Sequence, residues 1–397
     1  MAEGWCPAGE QGIFKSLPRL ALWVALTSNR SALRFHFLDS VFLLLVGLAG
    51  IAGCTKKEAS PRDRSFTVGT FAGSGAVGAL DGPAAAATFG FPGGVAVDAQ
   101  GAVYVADQAN HCVRKVTAAG LVSTLAGTGT RGFADGPGST AQFNSPMGVA
   151  VDAQGTVYVA DRLNHRIRAV SPLGVVRTLA GMAGTGLQDG ASASARFLFP
   201  SGVAVGATGA VYVADAFNHR IRVVSPQGVV STLAGSGPSG NVPADHHADG
   251  PGSSALFSNP QAVAVDGQGN VYVADTDNHR IRKITAAGVV TTVAGSATPG
   301  RADGVGSTAL FDKPKGVAVD AAGTVYVTDL YNSRICRISP AGEVSTWSGA
   351  AGTTGFVDGG LQDAKFFNPI GIAATPAGTQ VYIGDNVNHR IRQIKAN

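Results

Sequence analysis

Apolar residues along this chain fall into short runs that are separated by turn-forming residues. Between residues 146 and 181 the runs are "PMGVAVD", "TVYVAD", "HRIRAV" and "VVRTLAG", and Gly, Pro, Asn and Asp stand between them. Valine-rich runs of this length with such boundaries predict β-strands. Four such strands in succession predict an antiparallel meander, which is the form of a propeller blade.

This unit recurs six times, as the aspartate that ends the second run shows. The repeat intervals are 54, 54, 60, 54 and 56 residues, and the aspartates are Asp107, Asp161, Asp215, Asp275, Asp329 and Asp385. One blade cannot bury its own faces, so the packing residues must recur from unit to unit. The sequence therefore predicts an all-β, six-bladed β-propeller of four-stranded antiparallel blades over residues 66–397.

The two ends of this region predict how the ring closes. A lone strand of the fourth type, "FTVGTFAG", precedes the first unit, whereas the last unit ends after its third strand. Pairing of these two segments removes two open sheet edges. We therefore expect the N-terminal strand to complete the last blade.

The order "GVAVDxxGxVYVA" followed by "DxxNHRI" resembles the signature of NHL-repeat β-propellers, and the resemblance covers all six units. It implies the same six-bladed fold. Four positions depart from the pattern: Cys112 and Ser333 in the "NHR" segment, and Gly206 and Thr375 where the other units have Asp. These departures put single interactions in doubt, not the fold.

Residues that repeat in every unit are expected to be scaffold. The tyrosine of "VYVA" and the phenylalanine of "AxF" are assigned to packing. In five units the aspartate is expected either to pair with the arginine that begins the third strand, as in Asp161 with Arg166, or to satisfy turn amides. A second aspartate, in the "DG" before each blade, is interpreted as a turn residue.

The composition narrows the class of protein. Of the 397 residues, 45% are hydrophobic and 14% charged, and the net charge is +4. Such a chain is too apolar for intrinsic disorder. Its charge is too weak and too dispersed for a nucleic-acid-binding surface, so no nucleic-acid partner is expected.

Residues 1–54 differ from the rest and are predicted to be a leader. The run "SVFLLLVGLAGIAGC" is too short to span a bilayer comfortably and has the flanks of a secretory signal. Its last four residues resemble a bacterial lipobox, which implies lipidation of Cys54, export and, because Thr55 follows, an outer-membrane location. An over-extended start is an alternative for residues 1–33. Residues 55–65 are expected to form a flexible tether.

Candidate binding residues lie where the six units differ from one another. The longer loops and the "DxxN" turns should share one face, and loops on a rigid scaffold commonly carry binding sites. A protein, peptide or envelope-glycan ligand is predicted there, and ordinary surface variation stays open as the alternative. The candidates are, at the mouth of the central channel, Met147, Gln261, Lys313 and Lys315, and, in the turns, Arg162, Phe217, Asp277 and Tyr331.

No catalytic motif is present in the sequence, and no cofactor is expected. One alternative is a divalent cation in the longer loop before the fourth blade, which carries Asp245, His246, His247 and Asp249. The other is a metal-dependent hydrolase or lyase, since six-bladed propellers of similar outline include lactonases. That reaction needs several metal ligands at the channel mouth, where this chain has a poor ligand set.

Overall fold

A computed structural model describes residues 65–243, 245–349 and 353–397. Six antiparallel sheets account for most of this part of the chain, which confirms the all-β, six-bladed propeller. None of its helices has the length and apolar character that crossing a membrane requires. The predicted leader, its Cys54 and the tether as far as residue 64 lie outside the described residues.

Each blade runs outwards from the central channel in four strands. The innermost strands are Pro92–Val97, Pro146–Val151, Pro200–Val205, Pro260–Val265, Pro314–Val319 and Pro369–Ala374. The second strands are Val103–Asp107, Val157–Asp161, Val211–Asp215, Val271–Asp275, Val325–Asp329 and Gln380–Asp385.

The outer half of each blade follows the same plan. The third strands are Cys112–Val116, Arg166–Val170, Arg220–Val224, Arg280–Ile284, Arg334–Ile338 and Arg390–Ala396. The fourth strands are Leu121–Ala126, Val176–Ala180, Val229–Ala234, Val289–Gly295, Glu343–Ser348 and, for the sixth blade, Phe66–Ala72. Short 3-10 helices span Arg162–Asn164, Ala216–Asn218, Thr276–Asn278 and Gly306–Thr308.

The ring closes as the sequence predicts. Phe66–Ala72 pairs antiparallel with Arg390–Ala396, in a register that sets Phe66 opposite Ala396. The peptide N–H of Asn397 donates to the carbonyl of Ser65 at 2.9 Å and extends this pairing by one residue. The sixth blade is therefore built from both ends of the described chain.

Five blades carry one short outer strand beyond the four that the sequence predicts. These strands are Gly82–Pro83, Gly190–Ala191, Gly250–Pro251, Gly304–Val305 and Gly359–Gly360. They belong to the segments between blades, and each pairs with the fourth strand of the blade that its segment is about to enter. In the second blade a single bridge between Gly136 and Val176 takes this place.

The hydrophobic core is divided into six clusters, and each lies between two neighbouring blades. One cluster joins Val113 of the first blade to Val157 of the second, and another joins Ala373 of the sixth blade to Phe89 of the first. All six "AxF" phenylalanines are completely buried, which confirms their packing role: Phe89, Phe143, Phe197, Phe257, Phe311 and Phe366. Because every cluster needs two blades, the ring is stabilised as a whole.

The predicted pairing of Asp161 with Arg166 is wrong. Asp161 instead accepts a 2.7 Å contact from Arg168, the second arginine of the segment, whose side chain is fully buried. Arg166 donates to the carbonyl of Asn164 and lies 3.9 Å above the Phe133 ring. Arg166 and Arg168 lie on the same face of the strand, because side chains alternate with a period of two residues. Arg166 is the first residue of the strand and contacts Asn164 and Phe133, whereas Arg168 lies deeper in the strand and binds Asp161.

In each blade the arginine that binds the aspartate of the second strand also contacts the aspartate of the "DG" segment, so the interpretation of the latter as a turn residue is incomplete. In the first blade Arg114 lies 2.7 Å from Asp107 and 2.6 Å from Asp81, and its guanidinium is 5.2 Å from the centre of the Phe89 ring. Burial raises the pKa of Asp107, against which the hydrogen bond from Asn110 and the charge of Arg114 act. Each blade thus contains one Asp–Arg–Asp triad stacked on a core phenylalanine.

This triad explains the departure at Cys112 and also the presence of Cys336 in the third strand of the fifth blade. Cys112 replaces the outer arginine of the first blade, where the triad does not need one. In the fifth blade Cys336 replaces the inner arginine, and Arg334 takes its place, 2.8 Å from Asp329 and 2.9 Å from Asp303. Cys112 and Cys336 are both buried and form no disulfide.

The histidine of the "NHR" segment joins neighbouring blades. Its Nδ1 accepts the peptide N–H of the residue that precedes the first strand of the next blade. The five pairs are His111 with Ser145, His165 with Phe199, His219 with Asn259, His279 with Lys313 and His389 with Phe91. An imidazole accepts at Nδ1 only when that nitrogen carries no proton. The fifth blade has Ser333 at this position.

We expect His111→Ser to lower the free energy of unfolding by roughly 0.5–1.5 kcal/mol at pH 8, the usual contribution of one hydrogen bond. Burial and nearby Arg131 lower the pKa of His111 below 6.5, so this contribution is present above pH 6.5 and is lost as the pH falls through the folded-state pKa. Urea unfolding at pH 8 and at pH 5 measures both values. An equal cost at the two pH values would contradict the role of the unprotonated Nδ1.

Candidate functional site

The "DxxN" turns and the loops between blades lie on the same side of the propeller, beside the start of the innermost strands. The peptide N–H of Leu163 donates to the Asn144 carbonyl at 3.1 Å, and that of Phe217 donates to the Leu198 carbonyl at 3.2 Å. Each turn is therefore held against the segment that enters its own blade. We refer to this side as the loop-rich face.

Close packing of the innermost strands makes the channel narrow. Gly94, Gly148, Gly202, Gly316 and Gly371 occupy equivalent positions, and Ala262 is their counterpart in the fourth blade. A Cβ placed on Gly94 would lie only 2.8 Å from the Cα of Gly148 in the next blade. The backbones of neighbouring blades thus meet directly around the channel, which leaves little freedom for its wall to move.

At the loop-rich face the channel opens into a pocket that we call the channel mouth. The side chains that line it include Met147, Ser201, Gln261, Lys315 and Ile370. They come from five different blades and follow the proline that opens each innermost strand. The predicted candidates Met147, Gln261 and Lys315 are therefore brought together here.

Two polar atoms of the channel mouth have no hydrogen-bond partner among the described residues. They are Ser201 Oγ and Gln261 Oε1, and both residues are almost fully buried, Ser201 with 0% and Gln261 with 4% of its surface exposed. A buried polar atom without a partner costs about 1–3 kcal/mol. Such atoms are common where a ligand completes the hydrogen bonding.

A second pocket, the blade 3–4 groove, lies beside the channel mouth. Phe217, Asn259 and Asp277 line it together with Asn241 and Val242 of the longer loop. Thus the predicted candidates Phe217 and Asp277 share one pocket. The Phe217 ring also packs edge-on against Phe199, with 5.2 Å between the ring centres.

Hydrogen bonds connect the groove to the channel mouth. Lys313 Nζ lies 2.8 Å from one carboxylate oxygen of Asp277, and Asn259 Nδ2 donates to the other at 3.1 Å. Gln261 Nε2 in turn donates to Asn259 Oδ1. The predicted candidate Lys313 is therefore paired with Asp277 and lies on the border between the two pockets.

Lys315 lines the channel mouth, and Arg162 brings a second positive charge close to it. Burial lowers the pKa of Lys315 to about 8, and the positive charge of Arg162 adds to that shift. Burial also lowers the pKa of Arg162, whose guanidinium lies 5.6 Å from the centre of the Phe199 ring and whose Nε has no partner. Within the described part of the chain, neither cation forms a salt bridge.

Tyr331 lies apart from these two pockets. Its side chain is 61% exposed, and its peptide N–H donates to the Asp312 carbonyl at 3.2 Å. It belongs to the loop-rich face but lines neither the channel mouth nor the groove. Of the other seven predicted candidates, five line one of the two pockets, whereas Lys313 is paired with Asp277 and Arg162 stacks on Phe199.

The four candidate metal ligands do not converge on one point. Asp249 belongs to the triad of the fourth blade, 2.6 Å from Arg282, and Asp245 lies 2.8 Å from Arg280 and 2.7 Å from His247. His246 uses its backbone carbonyl to accept from Asn278. Over residues 65–243, 245–349 and 353–397, no three His, Cys, Asp or Glu side chains are grouped so that they could hold a metal ion.

Phe199 is the site residue that the sequence analysis missed. It carries the Arg162 guanidinium on its ring and packs against Phe217. The sequence contains a signal for it, because the residue before the proline varies among the six blades between Phe, Ser, Asn and Lys. These residues are Phe91, Ser145, Phe199, Asn259, Lys313 and Asn368. All six have positive φ, which turns their side chains towards the loop-rich face and not into the blade core.

A sequence profile described as "NHL repeat" matches residues 89–116, 143–169, 197–224, 257–284 and 311–338, which lie in the first five blades. The sixth blade repeats the same strands and the same triad without a match. The chain is therefore a six-bladed propeller that contains NHL repeats.

Two relatives share the repeat region. "Protein SUPPRESSOR OF QUENCHING 1, chloroplastic" of Arabidopsis thaliana is 34% identical over 275 residues, which is 66% of this chain and 26% of the relative. "NHL repeat-containing protein 2" of Homo sapiens is 28% identical over 339 residues, which is 76% of this chain and 46% of the relative. The chain thus spans less than half the length of either relative.

Solved structures share the fold at low identity. An auxiliary nutrient binding protein of Bacteroides thetaiotaomicron superposes with a TM-score of 0.63 at 18% identity, over 84% of this chain and 77% of that one. A gluconolactonase of Xanthomonas campestris superposes with a TM-score of 0.51 at 15% identity, over 78% of this chain and 87% of that one. At such identities the likeness extends to the fold alone.

We expect Lys315→Met to raise the free energy of unfolding by about 2–3 kcal/mol at pH 7, because a shift of one pKa unit corresponds to about 1.4 kcal/mol. The folded-state pKa of about 8 lies below the ordinary 10.5, so the wild type gains stability as the pH rises from 8 to 10.5. The difference in the free energy of unfolding between Lys315→Met and the wild type should therefore decrease from pH 8 to pH 10.5.

Urea unfolding at pH 7, 9 and 10.5 measures this difference. Lys115→Met, which removes a lysine from the third strand of the first blade, is the matched control and should change little. If Lys315→Met is no more stable than the wild type at pH 7, the charge of Lys315 is not destabilising in the folded protein.

Proposed function

We propose that this six-bladed propeller of NHL repeats is a non-enzymatic binding protein that recognises a protein, a peptide or an envelope glycan through its loop-rich face. The observation that carries the proposal is the channel mouth. It joins buried polar atoms that lack partners, Ser201 Oγ and Gln261 Oε1, to a neighbouring groove lined by Phe217. Concave pockets with a few unsatisfied polar groups are typical of ligand sites.

Two further considerations support a binding role. The channel wall is made of closely packed backbones, so the pockets are held by a rigid scaffold and little ordering is needed on binding. Proteins of the same fold from Bacteroides are described as auxiliary nutrient binding proteins, at 18% and 19% identity. They share the fold with this chain, and a nutrient ligand is their property.

The alternative of a metal-dependent hydrolase or lyase fits the channel mouth poorly. A gluconolactonase has the same fold, but here the mouth presents Lys315 and, close to it, Arg162. Two positive charges oppose the entry of a divalent cation. Met147 and Ile370 supply no oxygen or nitrogen ligand for one.

The location of the protein is also part of the proposal. Cys54 ends an apolar leader that resembles a bacterial lipobox, and we propose that the propeller is exported and held by lipidated Cys54, with an outer-membrane site indicated by Thr55. Residues 55–65 would then act as the tether, so the loop-rich face could reach ligands of the cell envelope.

The binding face can be tested with a double substitution. The full chain is applied to a peptide phage library and to a glycan array, beside Phe217→Ala/Tyr331→Ala and, as the control, Leu173→Ala. Leu173 is 92% exposed in a turn between the third and fourth strands, at the opposite end of the second blade. We expect the wild type and Leu173→Ala to select the same ligands, and the double variant to bind them at least 10-fold more weakly, since buried aromatic contacts dominate many interfaces.

Selection of the same ligands with equal affinity by the double variant would exclude the loop-rich face as the binding surface. Selection of no ligand by any of the three proteins on either library would count against a peptide or glycan ligand.

The lipid attachment has its own test. We expect Cys54→Ser to abolish incorporation of labelled palmitate in a bacterial host and to leave the protein out of the detergent-extracted membrane fraction. Cys112→Ser, at a buried cysteine, is the control and should keep the label. Labelling of Cys54→Ser at the wild-type level would show that Cys54 is not the site of lipidation.

A further inference from the structure

Lys315 in the channel mouth and Arg162 beside it are two positive charges that form no salt bridge within the described residues. Arg162 stacks on Phe199, and its guanidinium donates no hydrogen bond within the described residues. Lys315 lines the same mouth and is close enough to Arg162 for their charges to repel each other. Desolvated charges are expensive unless they are paired, so two such neighbours without a partner are unusual in a structural role.

The carboxylate of Asp277 does not balance these two positive charges. Asp277 is already held by Lys313 and Asn259, at 2.8 and 3.1 Å. Burial lowers the pKa of Arg162, and no carboxylate among the described residues forms a salt bridge with it. The charges that face Lys315 are therefore Arg162 and Lys313, both positive, and Asp277, whose charge Lys313 neutralises.

The remaining surface of the mouth offers few further polar contacts. Ser201 Oγ can donate one hydrogen bond and Gln261 Oε1 can accept one, while Met147 and Ile370 are apolar. This set matches a ligand with one carboxylate, one neighbouring N–H and an apolar side chain. A sugar acid carries several hydroxyl groups, for which the mouth has too few partners.

We infer that the channel mouth binds the terminal carboxylate of a peptide, held by Arg162 and Lys315 with Ser201 and Gln261 as hydrogen-bond partners. The carboxylate supplies the missing negative charge, and an arginine guanidinium suits it because its planar N–H groups match the two oxygens. The last peptide N–H faces Gln261, and the last side chain lies against Met147 and Ile370. This inference rests on the proposed binding role of the loop-rich face and narrows its ligand to peptides with a free C-terminus.

The test uses small probes with the full chain and isothermal titration calorimetry at pH 7. N-acetyl-leucine carries the carboxylate, the N–H and an apolar side chain, and N-acetyl-leucinamide differs only in its neutral end. We expect the acid to bind at least 10-fold more tightly than the amide. Arg162→Met and Lys315→Met should each weaken binding of the acid by about 10- to 100-fold, the usual effect of losing a charge-assisted hydrogen bond.

Lys115→Met is the matched control, because it removes the same charge from a strand of the first blade and should leave binding unchanged.

The pH dependence of the affinity is a second, independent measurement. Because the pKa of Lys315 is about 8, affinity for the acid should fall as the pH rises above 8 in the wild type but not in Lys315→Met. A variant that merely unfolds would lose binding at every pH and lose its unfolding transition as well.

Three results would overturn the inference. The first is equal binding of N-acetyl-leucine and its amide, or of neither. The second is equal competition by inorganic phosphate, which would indicate a general anion site. The third is binding of glucuronate in place of N-acetyl-leucine, which would indicate an acidic sugar. In each case the proposed function still stands if Phe217→Ala/Tyr331→Ala loses the ligands selected by the wild type.

Discussion

The buried arginine of each blade is the interaction on which the propeller depends. Arg114, for example, binds Asp107 at the end of its own second strand and Asp81 in the segment that arrives from outside. It also stacks on Phe89, a residue of the cluster between the sixth and first blades. One side chain therefore contacts the second strand of its own blade, the segment that leads into the blade and the hydrophobic cluster between two blades.

This repeated scaffold explains why the loop-rich face can differ from blade to blade. Because the triads and the inter-blade clusters stabilise the ring, the residues next to each opening proline are not needed for packing. They can therefore vary from blade to blade, as Met147, Ser201 and Lys315 do, while the ring keeps its fold. Lys315 and Ser201 are each unfavourable for stability where they lie, since one is a desolvated charge and the other a buried hydroxyl without a partner. Residues of this kind are typical of sites where stability has been exchanged for binding.

The sequence predicted the fold almost completely but predicted the site only as a set of positions. The six blades could be predicted from the strand pattern and the repeat interval, and their closure from the unpaired strand at Phe66. Each of these is a local or periodic signal in the sequence. The partner of Asp161 was predicted wrongly, because the sequence places two arginines in the same strand and gives no means of choosing between them. Only the packing of the folded protein distinguishes Arg168 from Arg166. The role of Phe199 depends on a positive φ, and the lack of a counter-charge near Arg162 depends on the arrangement of three blades. Neither can be read from one segment.

Closure by Phe66–Ala72 also sets the order in which the propeller folds. The partner strand, Arg390–Ala396, lies more than three hundred residues further along the chain, whereas most other strand pairs form between neighbours in sequence. Contacts of such long separation are slow to form. Five blades can therefore assemble one after another as the chain emerges, while the first strand waits unpaired until the last has been made. During that interval the exposed edge of the first strand is available to other strands.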